Sequence, residues 1–105
     1  MHILFDQGTP VPLRRALKDH DVFTAAERGW SQLSNGDLLA EAEQSGVDLL
    51  ITTDQNLRYQ QNLMNRRIGI LVLRTTSWPR IREKVDLVLE AVAEFTTGEY
   101  REITF

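Results

Sequence analysis

Short apolar runs alternate with amphipathic stretches along the whole chain. The runs predict β-strands, because a continuous apolar run of about four to eight residues between turn signals is typical of a strand that is buried on both faces. Strands are predicted at 2–5, 21–25, 47–53 and 68–73, with a short edge strand at 101–105. The segment 27–33 has no clear period and is predicted to be a loop.

Helices are predicted between these strands. The apolar residues after Pro12 have the spacing of one helix face, and a proline fits the first turn of such a helix. A second helix is predicted to begin at the cap Ser34–Asn35 and to end at Gly46. A polar helix is predicted at 56–65.

The last predicted helix is long and has a broad apolar surface. Ser77 caps it, Pro79 fits its first turn and Gly98 ends it. Its apolar residues recur at helical spacing, at Ile81, Val85, Val88, Val92 and Phe95. The additional Leu87 and Leu89 make this stripe wider than one core face requires, which indicates a subunit interface and predicts a homodimer.

The order of these elements predicts the fold class. Near-continuous apolar strands joined by helical crossovers favour a mostly parallel sheet of four to five strands, covered by helices on both faces in a three-layer α/β/α sandwich. The 105 residues are enough for a single domain, 1–105, and too few for two. With right-handed crossovers, the first strand is expected to lie between the second and the third.

Composition and charge exclude several classes of protein. With 42% hydrophobic and 26% charged residues, the chain is neither disordered nor fibrous. No apolar run approaches the ~20 residues of a membrane span, and the start lacks the features of a signal peptide. The absence of cysteine excludes thiolate zinc sites and is typical of a cytoplasmic protein. The net charge of −3 is not that of a non-specific nucleic-acid binder.

Acidic residues follow two of the predicted strands, at the edge of a parallel sheet where ligands usually bind. Asp6 ends the first strand and Asp54 follows the third. Ligands of parallel sheets bind beyond the carboxyl ends of the strands where the strand order reverses, so the two aspartates are expected about one strand spacing apart, ~4.8 Å. Asp37, in the first turn of the intervening helix, and Glu41, one turn later, are expected to extend the cluster.

Such a cluster indicates a metal site. Converging carboxylates repel one another unless a cation neutralises them, and oxygen ligands without cysteine or paired histidines favour Mg²⁺ or Mn²⁺. A cation of this kind polarises a phosphoryl group and activates water. The structural alternative is that Asp37 matches a helix dipole and that Asp54 caps the next helix.

The polar helix that follows Asp54 carries candidate substrate-binding groups. Asn56, Tyr59 and Gln60 share one helix face, and amide and phenol groups can bind phosphate, sugar and base. Arg58, Arg66 and Arg67 are predicted to form a basic rim, although an ordinary solvated helix is the alternative. The candidate substrate-binding residues are Asn35, Asn56, Arg58, Tyr59, Gln60 and Gln61.

Three motifs resemble a known family. They are Leu4-Phe5-Asp6 with a proline shortly after it, the run from Trp30 to Leu39 and the run from Thr53 to Asn62. These residues resemble a bacterial group of small PIN-like proteins, grouped under the domain-of-unknown-function heading DUF5615, which are relatives of PIN-domain toxin ribonucleases. The resemblance spans residues 3 to 74, about two-thirds of the chain.

The resemblance implies a PIN-like α/β/α fold with an acidic site. The implied site residues are Asp6, Asp37 and Asp54. Relatives commonly carry a glutamate where this chain has Gln7, and further carboxylates where it has Asn35 and Asn56. A two-metal nuclease usually uses about four acids, so a site that keeps three is expected to bind one metal.

Three functions remain open at this point. The first is a metal-dependent ribonuclease of the PIN type, the toxin of a toxin–antitoxin pair with a cognate antitoxin as partner, which the retained acids favour. The second is a degenerate PIN-like module that binds RNA or a partner protein without cleavage, which the amide replacements favour. The third is a structural protein that dimerises through its last helix.

Overall fold

Parallel strands form one sheet, seen in a computed structural model that describes residues 1–60, 63 and 66–105, with backbone alone for Tyr59 and Gln60. The strands are β1 (His2–Phe5), β2 (Asp21–Thr24), β3 (Leu49–Thr52), β4 (Gly69–Leu73) and β5 (Tyr100–Ile103). Their order is β2-β1-β3-β4-β5, and every neighbouring pair is parallel. The predicted parallel sheet, with its first strand between the second and third, is confirmed.

Helices cover both faces of this sheet. They are a 3₁₀ helix (Val11–Leu17), α1 (Asn35–Gln44), α2 (Leu57–Gln60), α3 (Trp78–Glu83) and α4 (Val85–Glu94). The 3₁₀ helix, α3 and α4 share one buried cluster with the sheet, and α1 and α2 share the other. The predicted three-layer α/β/α arrangement is therefore confirmed.

Side chains of each central strand alternate between the two cores. On β1, Ile3 and Phe5 belong to the core under the 3₁₀ helix and α4, whereas Leu4 belongs to the core under α1. All three side chains are fully buried. Because both faces of the strand are covered, the sequence shows a continuous apolar run instead of an alternation of apolar and polar residues.

One crossover departs from the expected handedness. The 3₁₀ helix connects β1 to β2, and α3 and α4 connect β4 to β5, on the same face of the sheet. These two connections advance toward opposite edges. Connections on one face that advance in opposite directions have opposite hands, so one of the two is left-handed, although crossovers between parallel strands are almost always right-handed.

The predicted long last helix is two helices. Lys84 leaves the helical conformation, with φ −127° and ψ 34°, and its backbone N–H donates to the Ile81 carbonyl at 3.0 Å. The apolar spacing continues across this break, since Ile81 and Val88 are both buried in the same core, which is why the periodicity predicted one helix. The second helix ends at Glu94, before Gly98.

The predicted polar helix at 56–65 is described only in part. The structure describes α2 as Leu57–Gln60, and residues 61, 62, 64 and 65 lie outside the described part of the chain. Leu57 is buried under the sheet on the α1 side, and Leu63 packs partly buried against the same core. Leu57 and Leu63 therefore lie on the same face of the sheet as α1.

Candidate active site at the carboxyl ends of the strands

The strand order reverses between β1 and β3, because β2 lies on one side of β1 and the later strands lie on the other. Ligands of parallel sheets bind beyond the carboxyl ends of the strands at such a point. Asp6 directly follows β1, and Asp54 lies just after β3, which pairs with β1. The structure thus brings Asp6 and Asp54 to the same place on the sheet.

Thr52, the last residue of β3, links the two aspartates. Its side chain is fully buried. Its hydroxyl donates to Asp6 Oδ2 at 2.6 Å and accepts from the backbone N–H of Asp54 at 3.1 Å. A buried hydroxyl that is satisfied as donor and as acceptor holds both partners in one geometry.

Neutral donors hold both carboxylates. Asp54 Oδ1 accepts from the backbone N–H of Asn56 at 2.9 Å, and Asp54 Oδ2 accepts from Asn35 Nδ2 at 3.1 Å. Asp6 Oδ1 accepts from the backbone N–H of Gly8 at 3.1 Å. The contact with Asn56 is the capping interaction that the sequence leaves open as an alternative for Asp54.

These two carboxylates have no cationic partner within the described residues. None of the ion pairs formed there includes Asp6 or Asp54. A hydrogen bond from a neutral donor orients a carboxylate but leaves its full charge in place. Two carboxylates therefore follow neighbouring strands at this edge, and no cationic side chain of the described residues pairs with either of them.

The loop after β1 lies tightly against the loop after β3. A Cβ on Gly8 would overlap Thr53 Oγ1, so any larger residue there would require the Thr53 side chain to shift. The buried Thr9 hydroxyl donates to the Ile51 carbonyl at 2.8 Å, and the Asp6 backbone N–H donates to the same carbonyl at 3.2 Å. These bonds extend the β1–β3 pairing beyond the strands and fix the Asp6 backbone beside β3.

Asp37 does not join this pair. It is exposed in the first turn of α1, where its backbone N–H donates to Ser34 Oγ at 3.3 Å. Across residues 1–60, 63 and 66–105, no group of three or more His, Cys, Asp or Glu side chains is arranged to hold a metal ion. Of the three predicted metal ligands, the structure brings together two.

The candidate substrate-binding residues divide into three groups. Asn35 belongs to the site through its bond to Asp54, and Asn56 is exposed beside it. The side chains of Tyr59 and Gln60, and all of Gln61, lie outside the described residues. Their predicted roles remain predictions.

The third group is the predicted basic rim. Arg58 lies against β5, with its Cζ 5.9 Å from the centroid of the Tyr100 ring and its Nη1 3.8 Å from Glu102 Oε2. Arg66 and Arg67 precede β4 at the amino end of the sheet, where Arg66 pairs with Glu43. Arg58 and Arg66 thus have different carboxylate partners, and the prediction that the three arginines form one rim remains a prediction.

Sequence reasoning missed Arg74 at the carboxyl edge. Arg74 directly follows β4, the neighbour of β3, and its Nε donates to Gln55 Oε1 at 3.3 Å. It is exposed and forms no ion pair with a carboxylate of the described chain. The rule that points to Asp54, that residues following parallel strands share an edge, also identifies Arg74.

A small cavity of about 100 Å³ lies beside Asp6. Its lining includes Asp6, Gln7, Trp30, Ser31, Leu33 and Asn35. Depressions of about 450 and 480 Å³ lie along the 3₁₀ helix, and neither is lined by Asp6 or Asp54. The small cavity therefore adjoins Asp6 and Asn35, the residue that donates to Asp54.

The donor set fits one hard cation. Each carboxylate oxygen of Asp6 and Asp54 accepts one hydrogen bond and keeps a further lone pair for a ligand. Mg²⁺ is usually bound in proteins by one or two carboxylates, while waters and substrate phosphates complete its shell. Two carboxylates without cationic partners meet this requirement for one Mg²⁺ or Mn²⁺ ion.

Comparisons with known proteins do not extend this description. No protein-family model, no curated protein and no solved structure matches the chain. No helix in the described ranges combines the length and the apolar character that crossing a membrane requires. The function therefore has to be argued from the site.

Proposed function

We propose that this chain is a metal-dependent ribonuclease of the PIN-like type, in which Asp6 and Asp54 hold one Mg²⁺ or Mn²⁺ ion. The observation that carries the proposal is that Thr52 joins the Asp6 carboxylate to the Asp54 backbone, and that neither aspartate has a cationic partner in the described part of the chain. Like charges held together destabilise a folded protein unless a ligand compensates them. Such an arrangement is typical of a functional site, where local stability is sacrificed for activity.

The residues around the acids have separate roles in this proposal. The cation, when bound, supplies the charge that polarises a phosphodiester group and activates water. Asp6 and Asp54 bind the cation, Thr52 positions the Asp6 carboxylate and the Asp54 backbone, and Asn35 orients the Asp54 carboxylate. These positioning contacts are buried or half-buried, so they persist when substrate arrives.

Arg74 binds an RNA phosphate group at the same edge. A guanidinium group matches phosphate oxygens in a bidentate geometry, and Arg74 has no carboxylate partner among the described residues. Asp37 lies outside the proposed ligand pair, because it is exposed and not grouped with the other two acids. The proposal therefore assigns Asp37 no direct role in metal binding.

A cleavage assay tests this function. Wild-type protein is incubated with a panel of single-stranded and structured RNAs in Mg²⁺ or Mn²⁺, alongside Asp6→Asn, Asp54→Asn and Asp37→Asn. We expect the first two variants to lose activity about 100-fold or more, because each removes a ligand charge, and Asp37→Asn to retain it. Wild-type protein that cuts no RNA, or an Asp54→Asn variant that cuts as well as wild type, contradicts the proposal.

A second candidate function is binding of RNA or a partner protein without cleavage. The observation that favours it is that the described residues contain no group of three or more His, Cys, Asp or Glu side chains arranged to hold a metal ion. One ligand pair can hold a cation that bridges to a phosphate without completing a catalytic site. Binding of labelled RNA without any cleavage product, in Mg²⁺ and in Mn²⁺, would favour this function over the first.

The predicted homodimer and the predicted antitoxin both need an exposed apolar surface. On α4, Leu87 and Leu89 are 39% and 37% exposed, whereas Val88 and Val92 are buried in the core. Exposed leucines beside a buried stripe support a protein interface on this helix. Light scattering of wild type and of a Leu87→Gln, Leu89→Gln double variant measures the oligomeric state, and a monomeric wild type contradicts the homodimer.

A further inference from the structure

The loop between β2 and α1 is fixed by its own hydrogen bonds. The Ala25 N–H donates to the Phe5 carbonyl at 2.9 Å, which continues the β1–β2 pairing past the strand ends. The Trp30 N–H donates to the Ala25 carbonyl at 2.8 Å, and the Leu33 N–H donates to the Trp30 carbonyl at 3.1 Å. Trp30 is therefore held beside the end of β1, next to Asp6.

Glu27 holds the base of this loop. Its carboxylate forms an ion pair with Arg14 and accepts from the Thr24 backbone N–H at 2.8 Å. The hydrogen bond from Arg14, followed by that from Thr24, holds the pKa of Glu27 below its usual value. The loop is therefore ordered before any ligand binds, which reduces the entropy lost on binding.

The cavity that this loop encloses has the chemistry of a nucleobase site. Trp30 supplies an aromatic surface, Gln7 an amide and Ser31 a hydroxyl group. Single-stranded RNA is recognised by aromatic side chains that stack on bases and by amide groups that bind base edges. Asp6 also lines the cavity, and no arginine or lysine does so within the described residues, which excludes an anionic group and favours a neutral ring with hydrogen-bond donors.

Arg28 places a positive charge beside the cavity. Its Cζ lies 4.0 Å from the centroid of the Phe23 ring and 5.8 Å from that of Trp30. Arg28 is exposed and has no carboxylate partner in the described ranges of the chain. A guanidinium held on an aromatic ring with its charge unpaired is suited to bind a phosphate group outside the cavity.

We propose that the cavity beside Asp6 is a nucleobase pocket, in which one base of a single-stranded RNA stacks on Trp30 and binds Gln7 and Ser31 while Arg28 binds the phosphate of that nucleotide. This proposal deepens the ribonuclease function and rests on it for the role of the bound nucleotide. The Asp6 carboxylate accepts hydrogen bonds but cannot donate them, so bases that carry an exocyclic amino group bind more tightly than uracil. The pocket thus selects the base next to the phosphodiester that the acids cut.

Tryptophan fluorescence in the presence of chelator tests the pocket. The chain has two tryptophans, so Trp78→Phe leaves Trp30 as the only reporter. The probes are CMP, UMP and ribose 5-phosphate, the last of which has a phosphate but no base. We expect CMP to quench Trp30 with a Kd of about 1 mM, UMP to bind more weakly and ribose 5-phosphate to have no effect.

Arg28→Gln tests the phosphate contact with a matched control. The variant is expected to weaken CMP binding about tenfold and to leave binding of cytidine unchanged. Arg80→Gln removes an exposed arginine on α3 and is expected to change neither. Absence of quenching by both nucleotides, equal quenching by ribose 5-phosphate, or equal weakening of CMP and cytidine by Arg28→Gln overturns the proposal.

The binding and cleavage assays separate this proposal from the ribonuclease function. Because the titrations contain chelator, they do not depend on metal binding by Asp6 and Asp54. Quenching by CMP in a protein that cuts no RNA supports the pocket and overturns the ribonuclease. Cleavage of RNA by a protein whose Trp30 does not respond to CMP overturns the pocket and leaves the ribonuclease standing.

Discussion

Two glutamates at the amino ends of the strands are paired with arginines, whereas two aspartates at the carboxyl ends are not. Glu43 forms an ion pair with Arg66, and Glu99 forms one with an arginine of β5. Asp6 and Asp54, at the opposite edge, accept hydrogen bonds from neutral donors alone within the described structure. Glu27, beside the end of β2, is also paired with an arginine, so the contrast concerns Asp6 and Asp54 and not every acid at that edge.

The pKa values at the amino end agree with a stabilising role. Burial by itself raises the pKa of Glu43, but hydrogen bonds from the Arg67 backbone and the Arg66 side chain outweigh it, so that the pKa lies below its usual value. The pKa of Glu99 is also lowered, first by the hydrogen bond from the Thr96 backbone and then by its arginine partner. A carboxylate whose pKa falls on folding stabilises the folded chain. The comparison therefore indicates that Glu43 and Glu99 stabilise the fold at the amino end, whereas Asp6 and Asp54 have no such cationic partner in the described chain.

The largest effect is expected from a glycine at the amino end. Gly98 has φ 74°, and a Cβ there would lie 2.7 Å from the carbonyl oxygen of Arg66. We expect Gly98→Ala to lower the free energy of unfolding by about 3 kcal/mol, because the left-handed conformation costs about 1 kcal/mol and the overlap with backbone adds to it. Urea denaturation measures the loss.

Gly46→Ala is the matched control for this glycine. Gly46 has φ 81°, but a Cβ there would meet nothing within 4 Å. Its substitution is therefore expected to cost about 1 kcal/mol, the conformational part alone. If Gly98→Ala and Gly46→Ala lose the same free energy, the close contact at the amino end is unimportant for stability.

Metal binding is expected to stabilise the carboxyl end. A cation that binds only the folded state adds about 2.7 kcal/mol at a concentration one hundred times its Kd. We expect the melting temperature of wild type to rise in Mg²⁺ or Mn²⁺, and this rise to disappear in Asp6→Asn and Asp54→Asn. Without metal, both variants should be as stable as wild type or more stable, because each removes one of two repelling charges.

The Asp37→Asn variant controls for the general loss of a negative charge. It is expected to keep the metal-dependent rise, since Asp37 is not grouped with the other two acids. A wild type without any rise, together with lower melting of Asp6→Asn and Asp54→Asn, would identify these residues as structural caps. The contrast between the two ends, and the ribonuclease proposal with it, would then be wrong.

The opposite result is expected for an acid at the amino end. The side chains of Glu43 and Arg66 are 17% and 24% exposed, and the buried Arg66 Nε has no hydrogen-bond partner among the described residues. Glu43→Gln removes the charge that compensates this arginine and is expected to lower the free energy of unfolding by about 2 kcal/mol. Glu41→Gln, an exposed position on the same helix, is the control and should have little effect. If the Glu43→Gln variant has the same melting temperature as wild type, Glu43 does not stabilise the fold and the contrast between the two ends is wrong.

Thr52→Val tests the link between the two aspartates. Valine keeps the shape of threonine but leaves Asp6 Oδ2 and the Asp54 N–H without this buried partner, which is expected to cost about 1.5 kcal/mol and to weaken the metal response. Thr52→Ser keeps the hydroxyl group and loses a buried methyl group, which is expected to lower the free energy of unfolding by about 1 kcal/mol. We therefore expect serine to preserve the metal-dependent rise in melting temperature, and equal loss of that rise in both variants contradicts the positioning role.

The order of the strands could be predicted because the apolar runs and helix caps agree with the topology that crossovers between parallel strands favour. Continuous apolar runs such as the one ending at Phe5 specify strands covered on both faces, and the caps at Ser34 and Ser77 begin helices as expected. That one crossover is left-handed could not be predicted, because the hand of a crossover depends on the face of the sheet that its helices occupy. The break at Lys84 was also missed, because apolar periodicity continues through it.

The candidate site could be predicted only where the rule of strand ends applies. Asp6 and Asp54 follow adjacent strands, so their proximity follows from topology. The bridging hydroxyl of Thr52 and the cavity lined by Trp30 depend on side-chain packing, which no periodic pattern in the sequence predicts. Asp37 was grouped with the other acids because it begins a helix near the same edge, but the structure leaves it exposed and apart.

The smallest expected effect is a pH dependence at the amino end. Glu99 is held by Thr96 and Arg101, which lower its pKa below the ordinary 4.5. Its stabilising contribution is therefore complete above 4.5 and is lost as pH falls through the lower value of the folded state. We expect Glu99→Gln to melt about 3 °C below wild type near neutral pH, and this gap to close in acid. The variant Glu94→Gln, at an exposed position, is the control and should have the melting temperature of wild type at every pH. If the difference in melting temperature between Glu99→Gln and wild type persists in acid, the ion pair does not stabilise this end.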